Sequence, residues 1–168
     1  MDKLIVTLKN IIHDINFEKG TAFIWSPSTR TITYPAAPNS AVAVWSLLHE
    51  AGHAALKHQD YQSDIELVLL ETAAWDKAKK LARQVEVSID DEHIQDCLDT
   101  YRDWLHQRST CPRCGVVSLQ IDSKQYQCHN CSCLWQVSAA RFCRPYRLTK
   151  TNIKRPLTEP TTLSTTFS

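Results

Sequence analysis

Apolar residues recur at helical spacing over residues 2–17, where Leu4, Leu8, Ile11, Ile12 and Ile15 share one face, and Gly20 closes that element. Residues 21–25 and 29–34 are instead rich in β-branched and aromatic side chains. Ser26-Pro27-Ser28 separates them, which predicts a β-hairpin. Pro35 and Pro38 stop the second strand, and Asn39 or Ser40 can cap a helix over about residues 41–58. Ser63 and Glu66 stand at capping-box spacing and open another helix, to about Val87. A further helix is expected over about residues 90–106, with Asp90, Asp91 and Glu92 in the first turn, where the helix dipole favours negative charge. From Ser109 the pattern changes to short strands, 116–121 and 125–127, among paired cysteines.

The predicted class is α+β, with a mainly helical part carrying a small hairpin over residues 1–108 and a small cysteine-bearing module over 109–140. Residues 141–168 are basic, then rich in Thr, Ser and Pro, and are expected to be disordered because they can bury little. Charge follows the same division. Residues 1–108 hold 11 Lys and Arg against 16 Asp and Glu, a net of −5, whereas residues 109–168 hold 8 against 2, a net of +6. The two parts therefore present different surfaces. No apolar run reaches about 18 residues, so no membrane partner is expected. The first ten residues lack the apolar core of a signal peptide. Seven cysteines, an odd number in tight pairs, fit metal binding in a reducing compartment, and a cytoplasmic location is expected.

The chemistry begins in the predicted helix over 41–58. His49 and His53, four apart, project from one face and can reach one ion, while Glu50 beside them can take a proton from a water on that ion. Val44, Leu47, Leu48, Ala54 and Ala55 make the surroundings apolar, where two imidazoles and a carboxylate are costly unless partnered. Gly52 weakens the helix, either for close approach at the metal or for helix packing. A third ligand is expected from the next helix. Leu67, Glu71, Ala74, Ala78 and Leu81 form one stripe in which Glu71 is the only charged member. Two competitors stand beside it. Glu66 lies about 140° round the helix and is explained by its capping position; His58 becomes a candidate if the helix breaks at Lys57.

His49-Glu50-Ala51-Gly52-His53 followed by Glu71-Thr72-Ala73-Ala74-Trp75 resembles the gluzincin pattern, in the short form of the minigluzincins and the ImmA/IrrE-like peptidases. The resemblance covers about residues 20–86. It implies a zincin-like core, a catalytic zinc on His49, His53 and Glu71, Glu50 as general base in peptide-bond hydrolysis, and a cytoplasmic protein substrate. It also implies that residues 29–34 form the edge strand that holds an extended substrate. Gluzincins often carry Asp or Asn four residues after the glutamate ligand to orient a histidine; this chain has Trp75 there. Tyr61 follows the active helix and could point a hydroxyl at the site, but packing of the turn is the simpler account of it.

Cys111-Pro112-Arg113-Cys114 and Cys128-His129-Asn130-Cys131 have zinc-ribbon spacing, and four thiolates predict a closed, structural zinc site. Cys133 offers an alternative ligand, Cys143 stands alone, and Cys97 falls among Ile94, Leu98, Tyr101 and Leu105 as a core residue. Two zinc ions per chain follow. Residues 141–155 hold Arg141, Arg144, Arg147, Lys150, Lys154 and Arg155 with Phe142 and Tyr146 interleaved, a pattern that nucleic-acid contacts can use but that more often is solvated. Three readings follow: a zinc endopeptidase, a non-catalytic two-zinc adaptor, and a DNA-associated SprT-like protease, whose third ligand is usually histidine.

Overall fold

Helix α1, Asp2–Ile11, lays Ile5 and Leu8 into the core. The helical pattern does not run on to Phe17 as expected. Ile12 is already extended and Asp14 adopts φ 60°, a left-handed conformation that ends helices. Ile15 and Phe17, two apart, instead face one side of strand β1, Asn16–Gly20. The hairpin forms as β2, Ile24–Ser26, and β3, Thr31–Pro35, and β1 pairs in parallel with the other side of β3. The sheet order is β1-β3-β2, so residues 29–34 supply the central strand and not the edge. The edge expectation assumed two strands; the third came from the segment read as helix. Burial follows this order, with Ile32 of β3 fully buried while β1 is largely exposed.

Ser40 caps α2, Ala41–Leu56, by accepting the Ala43 amide. The helix ends before His58, because Lys57 takes φ 57° and its amide turns back to Ala54. Ser63 caps α3, Asp64–Gln84, by accepting the Glu66 amide, and the Glu66 carboxylate reaches back to the Gln62 amide. That leaves Glu66 occupied as a cap. Asp90 caps α4, Asp91–Ser109. Helices α2 and α3 pack most closely, sharing the core of Leu47, Leu48, Ala78 and Leu81 with α1 and β3. Burying each large aliphatic side chain there is worth about 1.5–3 kcal/mol.

The second sheet runs β4-β5-β6-β7: Leu119–Asp122, Gln125–Gln127, Leu134–Val137 and Arg147–Thr149, all antiparallel. Strands β6 and β7 were not foreseen. Tyr126 and Trp135, paired across β5 and β6, stack at 5.5 Å and form a small second core with Cys111, Cys128 and Val137. The computed structural model describes residues 1–36, 40–138 and 147–149, and within them the chain is mixed α+β, four helices and two small sheets. Among the described residues no helix is long and apolar enough to cross a membrane. Most of the basic segment, including Arg141, Arg144, Lys150, Lys154, Arg155 and Cys143, lies outside the described residues. The part that is described forms β7, where the Arg147 guanidinium donates to the Thr110 carbonyl.

Candidate functional site

The heptad-like spacing of α2 puts His49 and His53 on the face turned to α3, and the Leu67–Leu81 stripe of α3 puts Glu71 opposite them. His49 Nε2 lies 3.0 Å and His53 Nε2 3.6 Å from the same oxygen, Glu71 Oε2, and the two imidazole nitrogens are 3.1 Å apart. Ligand atoms about 2.1 Å from a tetrahedral zinc lie about 3.4 Å from one another, so these three separations bracket a metal triangle. All three residues are buried or nearly so. Burial alone would raise the Glu71 pKa, but the two imidazoles hydrogen bonded to it outweigh that and hold it down to about 2. The group thus offers one carboxylate and two imidazoles, a set compatible with zinc.

Glu50 is not in the triangle. Burial raises its pKa, against the pull of His49, His53 and the Trp25 amide. That amide donates to Glu50 Oε2 at 2.7 Å, so β2 holds the carboxylate beside the metal group. His58, the competing ligand, is brought close by the break at Lys57 but arrives behind His53: its Nδ1 is 2.9 Å from His53 Nδ1, on the side away from Glu71. Burial and the neighbouring His53 lower its pKa. Trp75 lies against the His49 ring at 4.3 Å, and His49 Nδ1, buried, has no hydrogen-bond partner among the described residues. Packing against an indole has taken the place of the expected polar contact.

Two cavities, about 480 and 560 Å³, open on this group. His49, Glu50 and Glu71 line both, together with Ala22 and Phe23 just before β2 and Tyr101 of α4. Tyr61 lines only one and is exposed. Sequence reasoning placed Tyr101 in the core with Cys97. Its i+4 relation to Cys97 puts the two on one face of α4, but that this face meets the His49 group is set by the packing of the helices.

Gly52 is explained by packing. A Cβ there would lie 2.4 Å from the Ala74 carbonyl oxygen of α3. Helices α2 and α3 approach closely because position 52 has no side chain, and that approach sets the distance from His53 to Glu71. Gly52→Ala is expected to part the helices, lower stability by about 1–3 kcal/mol, and weaken metal binding at the His49 group. Thermal unfolding and chelator competition would measure both, and unchanged values would refute the packing account.

The second group is Cys111, Cys114, Cys128 and Cys131. The Cys111 and Cys131 sulfurs are 3.6 Å apart and those of Cys114 and Cys128 3.5 Å apart, near the ~3.8 Å edge of a tetrahedral zinc–thiolate site. Gly115, at φ 75°, follows the first pair and makes the turn that a side chain would strain. Burial disfavours the Cys128 thiolate, yet the amides of Cys131 and Asn130 and the Ser118 hydroxyl bring its pKa down to about 6. Cys131 goes the other way. The Cys133 amide favours its thiolate, but burial and the neighbouring sulfurs push it up to about 12. Four sulfurs this close become thiolates together only with a cation among them. Cys133 stands outside the group, and its carbonyl accepts the Cys128 amide. Cys97 is half-buried with its pKa raised by burial, as an inert thiol should be.

No family model, no curated protein and no solved structure matches this chain.

Proposed function

We propose that this chain is a zinc-dependent endopeptidase with a gluzincin-like, zincin-type core, its second zinc holding a ribbon-like module together. One observation carries the reading: two imidazoles and a carboxylate from facing helices converge with Glu50 beside them, at the junction of two cavities. A zinc ion held by His49, His53 and Glu71 would supply Lewis acidity for activating water and polarising a carbonyl. Glu50, oriented by the Trp25 amide, takes the proton from water at a carboxylate oxygen and passes it to the leaving amine. Tyr101 of α4 lines both cavities where Tyr61 lines one, and for that reason is favoured over Tyr61 as hydrogen-bond donor to the carbonyl oxygen.

Two cavities that share this group as lining leave room for chain to either side of a cut bond, which favours cleavage within a chain over trimming of an end. An extended segment would lie along the edge formed by Ala22, Phe23 and β2, with the Trp25 amide already engaged by Glu50. Phe23 lines both cavities, Ile24, Leu67 and Leu70 one and Val42 and Trp75 the other, with no Lys or Arg among the described residues that line them, which favours apolar side chains beside the cut bond. The SprT-like alternative draws its support from a basic segment lying mostly outside the described residues, and a carboxylate third ligand counts against it. Cytoplasmic protein is the proposed substrate.

Glu50→Gln is expected to keep two zinc ions per chain and to slow peptide cleavage about 10²–10⁴-fold, the usual contribution of a general base. Equal cleavage by both proteins would sink the catalytic reading and favour the adaptor.

A further inference from the structure

We propose that His58 is a positioning residue for the metal centre, accepting a hydrogen bond from His53 and fixing which nitrogen of His53 faces the ion. This rests on the reading of His49, His53 and Glu71 as a metal site, and does not depend on hydrolysis. His53 turns Nε2 to Glu71 and His49, so a metal there binds Nε2. Neutral imidazole carries one proton, and a ring that gives Nε2 to a metal must keep that proton on Nδ1. His53 Nδ1 lies 2.9 Å from His58 Nδ1. The proton between them therefore belongs to His53, and His58 accepts it as a neutral ring with its own proton on Nε2.

Three backbone features hold His58 in place for this. Lys57, at φ 57°, turns the chain back at the end of α2. The His58 amide donates to the His53 carbonyl at 3.1 Å, and the Trp25 indole donates to the His58 carbonyl at 3.0 Å. Trp25 thus serves the site twice, by its amide on Glu50 and by its indole on the turn that carries His58. The other histidine of the group differs: among the described residues His49 Nδ1 has no hydrogen-bond partner, and its ring packs on Trp75. Orientation of the two imidazoles is therefore divided, one by a hydrogen bond and one by packing. A neutral imidazole acceptor also leaves the site one negative charge short of a carboxylate-supported one, which makes the bound ion a stronger electrophile and a more easily lost one.

The test uses the full chain loaded with two zinc ions. His58→Ala is expected to weaken zinc at the His49 group about 10–100-fold in chelator competition while the four-cysteine zinc is unaffected. His58→Asn places a carbonyl oxygen where Nδ1 stood and is expected to restore affinity to within about threefold of wild type. Long-range ¹⁵N spectra of the loaded wild type are expected to show His58 protonated on Nε2 and a His53 Nδ1 proton protected from exchange. Unchanged affinity in His58→Ala, or a His58 proton on Nδ1 in the loaded protein, would overturn the assignment while leaving the metal site standing. Wild type that binds one zinc only, on the cysteines, would overturn the metal-site reading and His58 with it.

Discussion

Serine in place of Cys111 is expected to unfold the four-stranded sheet and to remove one of two zinc equivalents, leaving the helices α1–α4 folded. The reasoning is quantitative. Among the described residues the buried apolar core of that sheet is Tyr126, Trp135 and Val137 with the cysteines themselves, and Val116 packs against it. Three such side chains contribute about 1.5–3 kcal/mol each, which the conformational entropy of ordering some thirty residues exceeds several-fold. A structural zinc–thiolate site supplies about 10–16 kcal/mol, so on the two-zinc reading proposed above the metal would be the main source of folding energy there. Cys111 is the sensitive position because it is buried, its sulfur takes the Arg113 amide, and its backbone pairs with Val116 and Gly115. Serine retains the size and loses the thiolate. Trp135, fully buried in the folded sheet, should shift its fluorescence to the red, and amides of β4–β6 should lose exchange protection. Chelation should do the same to wild type. Buried Trp135 and protected amides in the Cys111→Ser protein would show that packing alone suffices.

How much of this could be read from the chain depends on how local each constraint is. His49, Glu50 and His53 were legible because a helix fixes the relation of positions four apart, and Glu71 because a lone charge on an apolar stripe is unusual. The cysteine pairs are equally local. The start of the first sheet was not legible: Ile15 and Phe17 fit the end of an amphipathic helix and the start of a strand, and only the left-handed Asp14 decides between them. Once β1 exists, β3 becomes central, so a two-residue ambiguity changed which strand is the edge. His58 was legible only as a conditional, because the outcome turned on one backbone torsion at Lys57. Tyr101 required the packing of α4 across α3, which no spacing within α4 encodes.

Arg108→Ala is expected to destabilise the whole chain by about 3–5 kcal/mol, the usual result of removing one partner from a buried ion pair. Asp64, at the first position of α3, and Arg108, in the last turn of α4, each read locally as a charge suited to its helix end. In the fold both are buried, and the Arg108 guanidinium grips Asp64 through two nitrogens at 2.5 and 3.1 Å. The Tyr126 hydroxyl donates to the same carboxylate at 2.5 Å, and burial together with Asp64 raises its pKa. Gln120 accepts the Asp64 amide, the Trp135 indole donates to the Arg108 carbonyl, and Arg108 also donates to the Ser138 carbonyl. One network therefore joins the start of α3, the end of α4 and the four-stranded sheet. Among the described residues, alanine at 108 would leave a buried carboxylate with Tyr126 as its remaining side-chain donor. Urea unfolding should show the loss, with the helical part and the sheet weakened together because they share the network. Asp64→Leu combined with Arg108→Met removes both charges and should recover most of it, since neither is then left unpaired. A loss below about 0.5 kcal/mol, the scale of an exposed pair, would show that the network adds nothing. Because α3 carries Glu71 two turns beyond Asp64, the single variant should also loosen the His49 zinc, whereas the double variant should hold it.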